Sequence, residues 1–537
     1  MFRSYMRGKG RGSKKADKRS VKAEKHEEQA LGNFTGQPLS VSLQQNIDRI
    51  NFEVGGSQDI ILRRLKLTDA GNTEALVVYI QCMVEEERLN NFVIRPLQRK
   101  RFSNESKIQP SEFLEVVKSS LLLTGIVMEI NDWKMLFQKL FLGYSIIMID
   151  GAANAIAANV IGGPKRGVEE PKTEMAIRGP REGFTESIRS NSALIRRKIR
   201  SPKLWLEQLT IGEISQTPVC MMYIKGLADE NVLKDLRERL EAIQIDGILE
   251  SGYIEELISD QIWSPFPTVM YNERPDVIAS NLLEGRIAIL VDGTPFVLIV
   301  PAVLNMFFQA AEDYYQSFDI STFLRMLRFV SFLIALLMPS IYVAIVHYHQ
   351  EMIPTQLLLK LAAQREGVPF PAYLEAFIME LVFEILREAV VRMPTAAGNT
   401  ISIVGGLVIG QSVVEAGIVS PAVVIVVSFT AIASFVSPAY SLGIAARLLR
   451  FFLLLAASTL GFYGIGLVVL LLLLHLSNLR SFGMPYIKPF APLYLKDLRD
   501  TLVRAPLWML RQRPQKLAEK NQVRQQIKTE PRKEPEQ

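Results

Sequence analysis

Residues 287–300 read IAILVDGTPFVLIV, and the reading of this stretch decides where the soluble part of the chain ends. It is apolar enough to be taken for part of a membrane span. Asp292-Gly293 at its centre points the other way. Asp-Gly between two apolar runs is a hairpin signal, because both central residues tolerate positive φ. An earlier stretch, FLGYSIIMIDG (141–151), ends in the same pair and continues as AANAIAANV, which is too mild to cross a bilayer. Both stretches are therefore expected in soluble sheets, with Asp150 and Asp292 as turn formers rather than catalytic carboxylates.

Working outward, the two copies bring their surroundings with them. Gly143 precedes Asp150 by seven residues, and Gly285 precedes Asp292 by seven. Upstream, ALVVYIQCMV (75–84) and VCMMYIKGLA (219–228) both read as strands followed by charged helical stretches. Tyr79 to Asp150 spans 71 residues and Tyr223 to Asp292 spans 69. This paired spacing predicts an internal duplication, two related α/β subdomains at 36–165 and 166–305. Between them, Arg181 to Lys203 is strongly basic with Ala193, Leu194 and Ile199 interleaved. An amphipathic helix with a solvated face is expected there, and binding of an acidic partner or lipid headgroups is the sharper alternative.

Charge is distributed very unevenly over the 537 residues. The net charge is only +6, yet the first twenty-five residues carry ten Lys/Arg against Asp17 and Glu24. No apolar run follows them, so they do not read as a secretory signal. Residues 1–35 are expected to be a disordered basic tail. Cys82 and Cys220 are too few and too far apart for a disulfide framework or a zinc cluster. Between Arg392 and Arg480 the only charged residues are Glu415, Arg447 and Arg450, a sparsity that predicts a bilayer environment. Residues 306–480 thus read as a transmembrane domain of about five helices. The fold class expected is an α/β cytosolic region of two duplicated subdomains followed by an all-α multi-pass membrane domain. Residues 481–537 are expected to be a basic amphipathic and disordered C-terminal tail, in which 497–513 reads as an interfacial helix with Trp508 at headgroup level.

The apolar segments are about 323–347, 373–394, 400–417, 422–438 and 451–476. Placing Arg325 and Arg328 inside leaves Arg392, Arg447 and Arg450 inside too, and makes the α/β region cytoplasmic. The last block breaks this agreement. One crossing would put the basic tail outside, whereas Gly461, Gly464 and Gly466 could bend the block into a re-entrant hairpin.

The polar second segment carries the most information. Glu380, Glu384 and Glu388 fall on one helical face at i, i+4 and i+8, beside Arg387, and Gln411 and Glu415 lie in or near the third segment. Ionisable groups at membrane depth are expensive and often mark an ion or substrate path. These five residues are the candidate path. Two other readings of 373–394 stay open: a helix lying on the membrane surface, and a structural Glu–Arg pair within the bundle. The apolar stretch 401–409, with Val404 and Val408, is a candidate dewetting gate. Gly406 and Gly410 form a GxxxG suited to helix packing. His347 and His349, with Glu351 nearby, read as interfacial polar residues where the first span emerges, so no metal is expected. No Walker loop, dinucleotide fingerprint or nucleophile elbow is present. An enzyme is not expected, nor a cofactor, nor a nucleic-acid partner.

Several long blocks carry a family resemblance: GPREGFTESIRSNSALIRRKI (179–199), SPFPTVMYNERPDV (264–277), EGRIAILVDGTPFVLIVPAV (284–303), EMIPTQLLLKLAAQREGVPFP (351–371) and VSPAVVIVVSFTAIASFVSPAYSLGIAARLLRF (419–451). Over roughly 35–515 the chain resembles GerA-type spore germination proteins, the A subunits of germinant receptors. The resemblance implies a multi-pass protein of the spore inner membrane with a cytosolic N-terminal region. It also implies a homo-oligomer around a cation-releasing pore, surrounded by membrane lipids. A permease-like B subunit and a lipoprotein C subunit are the implied partners. A nutrient-gated ion channel is the function expected. A secondary transporter or permease component is one rival, and would show broken helices at matching positions in two halves. A membrane-anchored signalling scaffold is the other, and would tolerate neutral substitutions at Glu380 and Glu384.

Overall fold

The computed structural model describes residues 36–67, 74–99, 126–163, 178–392, 410–515 and 521–524, with isolated positions at 115, 117, 118, 170, 171 and 517. The basic head, most of the last twenty residues, Val404, Gly406 and Val408 lie outside the described residues.

Two five-stranded antiparallel sheets dominate the first 300 residues. The first is built from β1 (Ile60–Lys66), β2 (Glu74–Ile80), β3 (Val127–Ile130), β4 (Ser145–Ile149) and β5 (Ala155–Ala158), in the order β1-β2-β4-β5-β3. The second uses β6 (Leu204–Ile211), β7 (Thr217–Ile224), β8 (Met270–Asn272), β9 (Ile287–Val291) and β10 (Val297–Val300), in the order β6-β7-β9-β10-β8. The strand order is the same in both. Residues 287–300 are the β9–β10 hairpin, with Leu298 opposite Ile289. Strands β4, β5, β9 and β10 are buried along their whole length. Their apolar character reflects a sheet covered on both faces.

Each sheet holds a helix laid down before its first strand: α1 (Leu43–Val54) and α2 (Ile188–Lys198). The residues preceding them, Ser42 and Ser187, make no side-chain cap. Instead the Asp of each Asp-Gly pair supplies the missing acceptor. Leu43 N–H donates to Asp150 Oδ1 and Ile188 N–H to Asp292 Oδ1, both at 3.0 Å. Each therefore satisfies a helix-terminal donor from across the unit. Gly151 N–H and Gly293 N–H return bonds to Val41 O and Glu186 O. A second pair of latches sits one turn on. Asn46 closes a seven-residue ring with both backbone groups of Ser40, and Asn191 does the same with Thr185. Gly143 and Gly285 both have positive φ, 94° and 100°. A Cβ there would sit 2.9 Å from Met83 O or 2.8 Å from Leu227 O, three residues beyond β2 and β7 respectively.

The basic segment 181–203 differs from a merely solvated face. Arg196, on α2, is fully buried. It donates to both carboxylate oxygens of Asp59 (2.7 and 2.9 Å), to Ser57 Oγ and to Leu204 O. Asp59 belongs to the first unit, so this bidentate pair joins the two sheets. Trp205 closes the joint from the side, donating its indole N–H to Glu53 O against Gly55.

The helical region begins after two short 3₁₀ turns. Its main elements are α3 (Phe318–His347), α4 (Thr355–Arg365), α5 (Ala372–Arg392), α6 (Pro421–Phe435) and α7 (Tyr440–Asn478), with a short helix at Gly410–Glu415. Two of these, α3 and α7, are long and apolar enough to cross a membrane. The last of them is two arms, not one rod. Gly461 takes φ 59°, ψ −136°, far outside helical values. A Cβ on Gly464 would lie 2.2 Å from Ala456 O, eight residues back. The chain therefore doubles back at Gly461. The first arm runs alongside α3 in the same direction, since Arg450 reaches Ala335 O and Thr459 O accepts from Tyr348. The second arm returns to the α/β units, where His475 Nε2 meets Ser264 Oγ at 2.8 Å.

The segment after α7 then docks on the second sheet. Ser481 Oγ donates to Thr268 O and accepts from Ala302 N–H, and Phe482 N–H donates to Asp260. The interfacial helix expected at 497–513 is not formed. The segment makes only 3₁₀ turns at Asp497–Asp500 and Leu507–Met509, because Pro506 lacks the donor a continuing helix needs.

Candidate functional site

The base of α3 is clamped. Arg325 and Arg328 are not loose charges at a helix end. Both bond Asp313, at 3.1 and 2.7 Å, and Arg325 also holds Asp500 in the tail at 3.1 Å. Tyr314 donates its hydroxyl to the same Asp500. Burial pushes Asp500 above its ordinary range, and the guanidinium of Arg325 opposes that rise.

A second polar cluster lies inside the helical bundle, and it gathers the residues singled out on α5. Glu380 is 1% exposed, and it accepts from Arg450 of the first α7 arm at 2.5 Å. One turn further, Glu384 accepts from Arg447 at 2.8 Å. The i, i+4 spacing on α5 is thus met by a spacing of three on α7, two rungs of one ladder. Arg450 also donates to Ala335 O, tying α3 to the same rung. In each carboxylate the second oxygen, Oε1, is buried and has no hydrogen-bond partner among the described residues. Arg387, about one turn beyond Glu384, donates to Ser434 Oγ on α6 and lies over the rings of Phe383 and Phe435.

The other candidates lie elsewhere. Glu388 is exposed and pairs with Arg392 one turn along its own helix. Gln411 donates to Glu415 at 2.7 Å, also at the surface. The ladder and these outer groups are not brought together. Gly410 would place a Cβ 3.9 Å from Val424 of α6, an ordinary packing distance. His349 lies at the far tip of the bundle, where its Nε2 accepts from Phe462 N–H.

Glu375 was not singled out from sequence. It is fully buried, accepts from Ser420 N–H at 2.8 Å at the start of α6, and faces Arg365 of α4 at 3.4 Å. Its only sequence signal is a carboxylate five residues before Glu380, off the face that the other three share.

The architecture is an α/β region joined to a helical bundle with a charged ladder at its centre and no constellation of catalytic groups among the described residues. Comparison with known proteins places it. Residues 48–516 match the model of the Bacillus/Clostridium GerA spore germination protein family. The chain belongs to that family. It is 48% identical to spore germination protein KA of Bacillus subtilis (strain 168), over 91% of this chain and 89% of that protein. It is 41% identical to spore germination protein GerLA of Bacillus cereus, over 90% and 97%. It is also 43% identical to the uncharacterized membrane protein YfkQ of Bacillus subtilis (strain 168), over 89% and 91%. Among solved structures, the N-terminal domain of the A subunit of the Bacillus megaterium spore germinant receptor GerK3 is 38% identical. That match covers 50% of this chain and 98% of the domain, with a TM-score of 0.40.

Proposed function

We propose that this chain is the A subunit of a spore germinant receptor. In this reading it spans the spore inner membrane several times, with the α/β region and the tail in the cytoplasm. It oligomerises into a cation channel that opens when nutrient is sensed, working with a permease-like B subunit and a lipoprotein C subunit. The matched family and the relatives KA and GerLA support the role in germination. The observation that carries the channel reading is the ladder. Two carboxylates, Glu380 and Glu384, sit in an apolar bundle with one oxygen on an arginine and the other free to accept. Buried charges of this kind are costly to desolvate, and at membrane depth they often mark an ion path. Closed, the arginines neutralise the carboxylates. A shift of α5 against α7 would expose acceptor oxygens to a cation, while Glu388, Gln411 and Glu415 offer further acidic or polar groups outside the ladder. Residues 401–409, with Val404 and Val408, would supply the apolar constriction.

The test is to replace Glu380, Glu384, Glu388 and Glu415 singly by Gln and record cation release from spores given nutrient. Altered release in the ladder variants is expected, and unchanged release in all four defeats the lining assignment. Val408→Ala should raise leak without nutrient.

We also infer that the two α/β units descend from one by duplication. The shared strand order, the Asp-Gly caps, the Asn latches and the glycines seven residues before each Asp support it.

A further inference from the structure

The loop 259–267 carries the most exposed large side chain of the second α/β unit. Trp263 is 99% exposed, and its neighbour Ile262 is 65% exposed. An indole left wholly in water is an unusual expenditure of apolar surface. The loop is not loose. At one end Asp260 is held by Arg239 at 2.6 Å and by Phe482 N–H. At the other end Ser264 bonds His475, and Phe266 is buried with its ring 6.3 Å from that imidazole. Two apolar residues are thus thrust outward between fixed anchors.

Their position identifies what they meet. His475 is in the last turn of the returning arm of α7, whose outward residues Leu470, Leu471, Leu473 and Leu474 are each more than half exposed. That outward face is the surface lipid would cover if α7 crosses a bilayer. Trp263 therefore projects beside the level at which this apolar surface ends, and exposed Arg480 follows two residues beyond the helix. Tryptophan and arginine at such a level match the headgroup region, where an indole buries its ring and keeps its N–H wet.

We propose that Ile262 and Trp263 form a membrane-surface anchor of the α/β region. They would insert into the headgroup–acyl boundary and fix the second sheet against the bilayer. This rests on the reading of α7 as membrane-embedded, and the experiment separates the two. Full-length chain is reconstituted in phosphatidylglycerol/phosphatidylethanolamine vesicles containing lipids brominated either near the headgroup or near the chain end. The Trp263 signal is taken as wild type minus Trp263→Phe. A second chain carrying Trp263→Phe and Leu473→Trp reports on the arm itself. The expected result is loss of Trp263 fluorescence, larger with bromine near the headgroup than near the chain end. Trp263 unquenched while Leu473→Trp is quenched overturns the anchor and leaves the membrane reading intact. Trp263 shielded from aqueous acrylamide yet unquenched by either lipid also overturns it, and points to a protein contact. If Leu473→Trp is unquenched as well, the membrane reading falls and the anchor with it.

Discussion

At the scale of single residues, partnership decides the outcome of substitution. Glu380 and Arg450 are both nearly fully buried, so removing either charge strands the other. Glu380→Gln or Arg450→Gln is expected to cost about 3–5 kcal/mol, read as a lower melting temperature in detergent. The double change Glu380→Leu/Arg450→Leu should recover much of that loss, since an apolar pair has no charge to desolvate. A double variant no more stable than the worse single one would contradict this. A different behaviour is expected of Glu255, on the helix Ser251–Ile258. Burial, reinforced by the nearby charge of Glu250, raises its carboxyl to about 7. The folded state therefore holds this proton more tightly than the unfolded chain. The resulting stabilisation is complete at pH values below the ordinary carboxylate range and is lost as pH rises through about 7. Glu255→Gln should flatten the decline in melting temperature between mildly acidic and mildly alkaline pH. An unchanged slope would show that another group sets it.

At the scale of elements, two joints control how the parts meet. Arg196 and Asp59 bridge the sheets, and Arg196→Gln should weaken the α/β region by about 3–5 kcal/mol in chemical denaturation. The other joint is Gly461, whose backbone angles suit glycine alone and whose Cβ would press on Tyr348 and His349 at 3.0–3.1 Å. Gly461→Ala should cost roughly 1–3 kcal/mol and disorder the tip. Replacing Gly466, which has open space around it, should cost far less.

These elements also show what the sequence could and could not disclose. The Asp-Gly hairpins were legible because turn chemistry is local, and the bend at Gly461 was legible as one of two options. The Asn latches, Ser40 to Asn46 and Thr185 to Asn191, share a spacing of six, but that spacing carries no distinctive chemistry in a sequence. The alignment of Glu380, Glu384 and Glu388 on one helix face was readable from periodicity. Their separate fates were not. Glu380 finds its partner 70 residues away and Arg196 finds Asp59 137 residues away, and such pairings leave no periodic trace. Pro506 argues against a helix through 497–513, while the basic, amphipathic flanks argue for one, and the proline prevails.

At the scale of the whole molecule, the returning arm of α7 brings the chain back to the side where it entered the bundle. The α/β region and the segment 479–515 therefore share a face, and the tip near Ser458 lies on the opposite one. In vesicles, cysteines introduced at Glu213 and Arg511 should react with an impermeant maleimide from the same side, and one introduced at Ser458 from the other. Labelling of all three from one side would contradict the hairpin. The native cysteines will not confuse the result. Both are buried, and desolvation lifts Cys82 to about 11 and Cys220 to about 12, so neither supplies thiolate at neutral pH.

The clamp at the base of α3 has a mechanical meaning. Asp313 precedes the bundle and Asp500 follows it, yet both grip Arg325. The bundle is therefore fastened at its root by the strand of chain going in and the strand coming out, like a cantilever with both straps on one bolt. At the outer tip, Tyr348, His349 and the Gly461 bend join α3 to α7. Loosening the bolt would release the entire lever, whereas a pull at the tip would flex it about a fixed root.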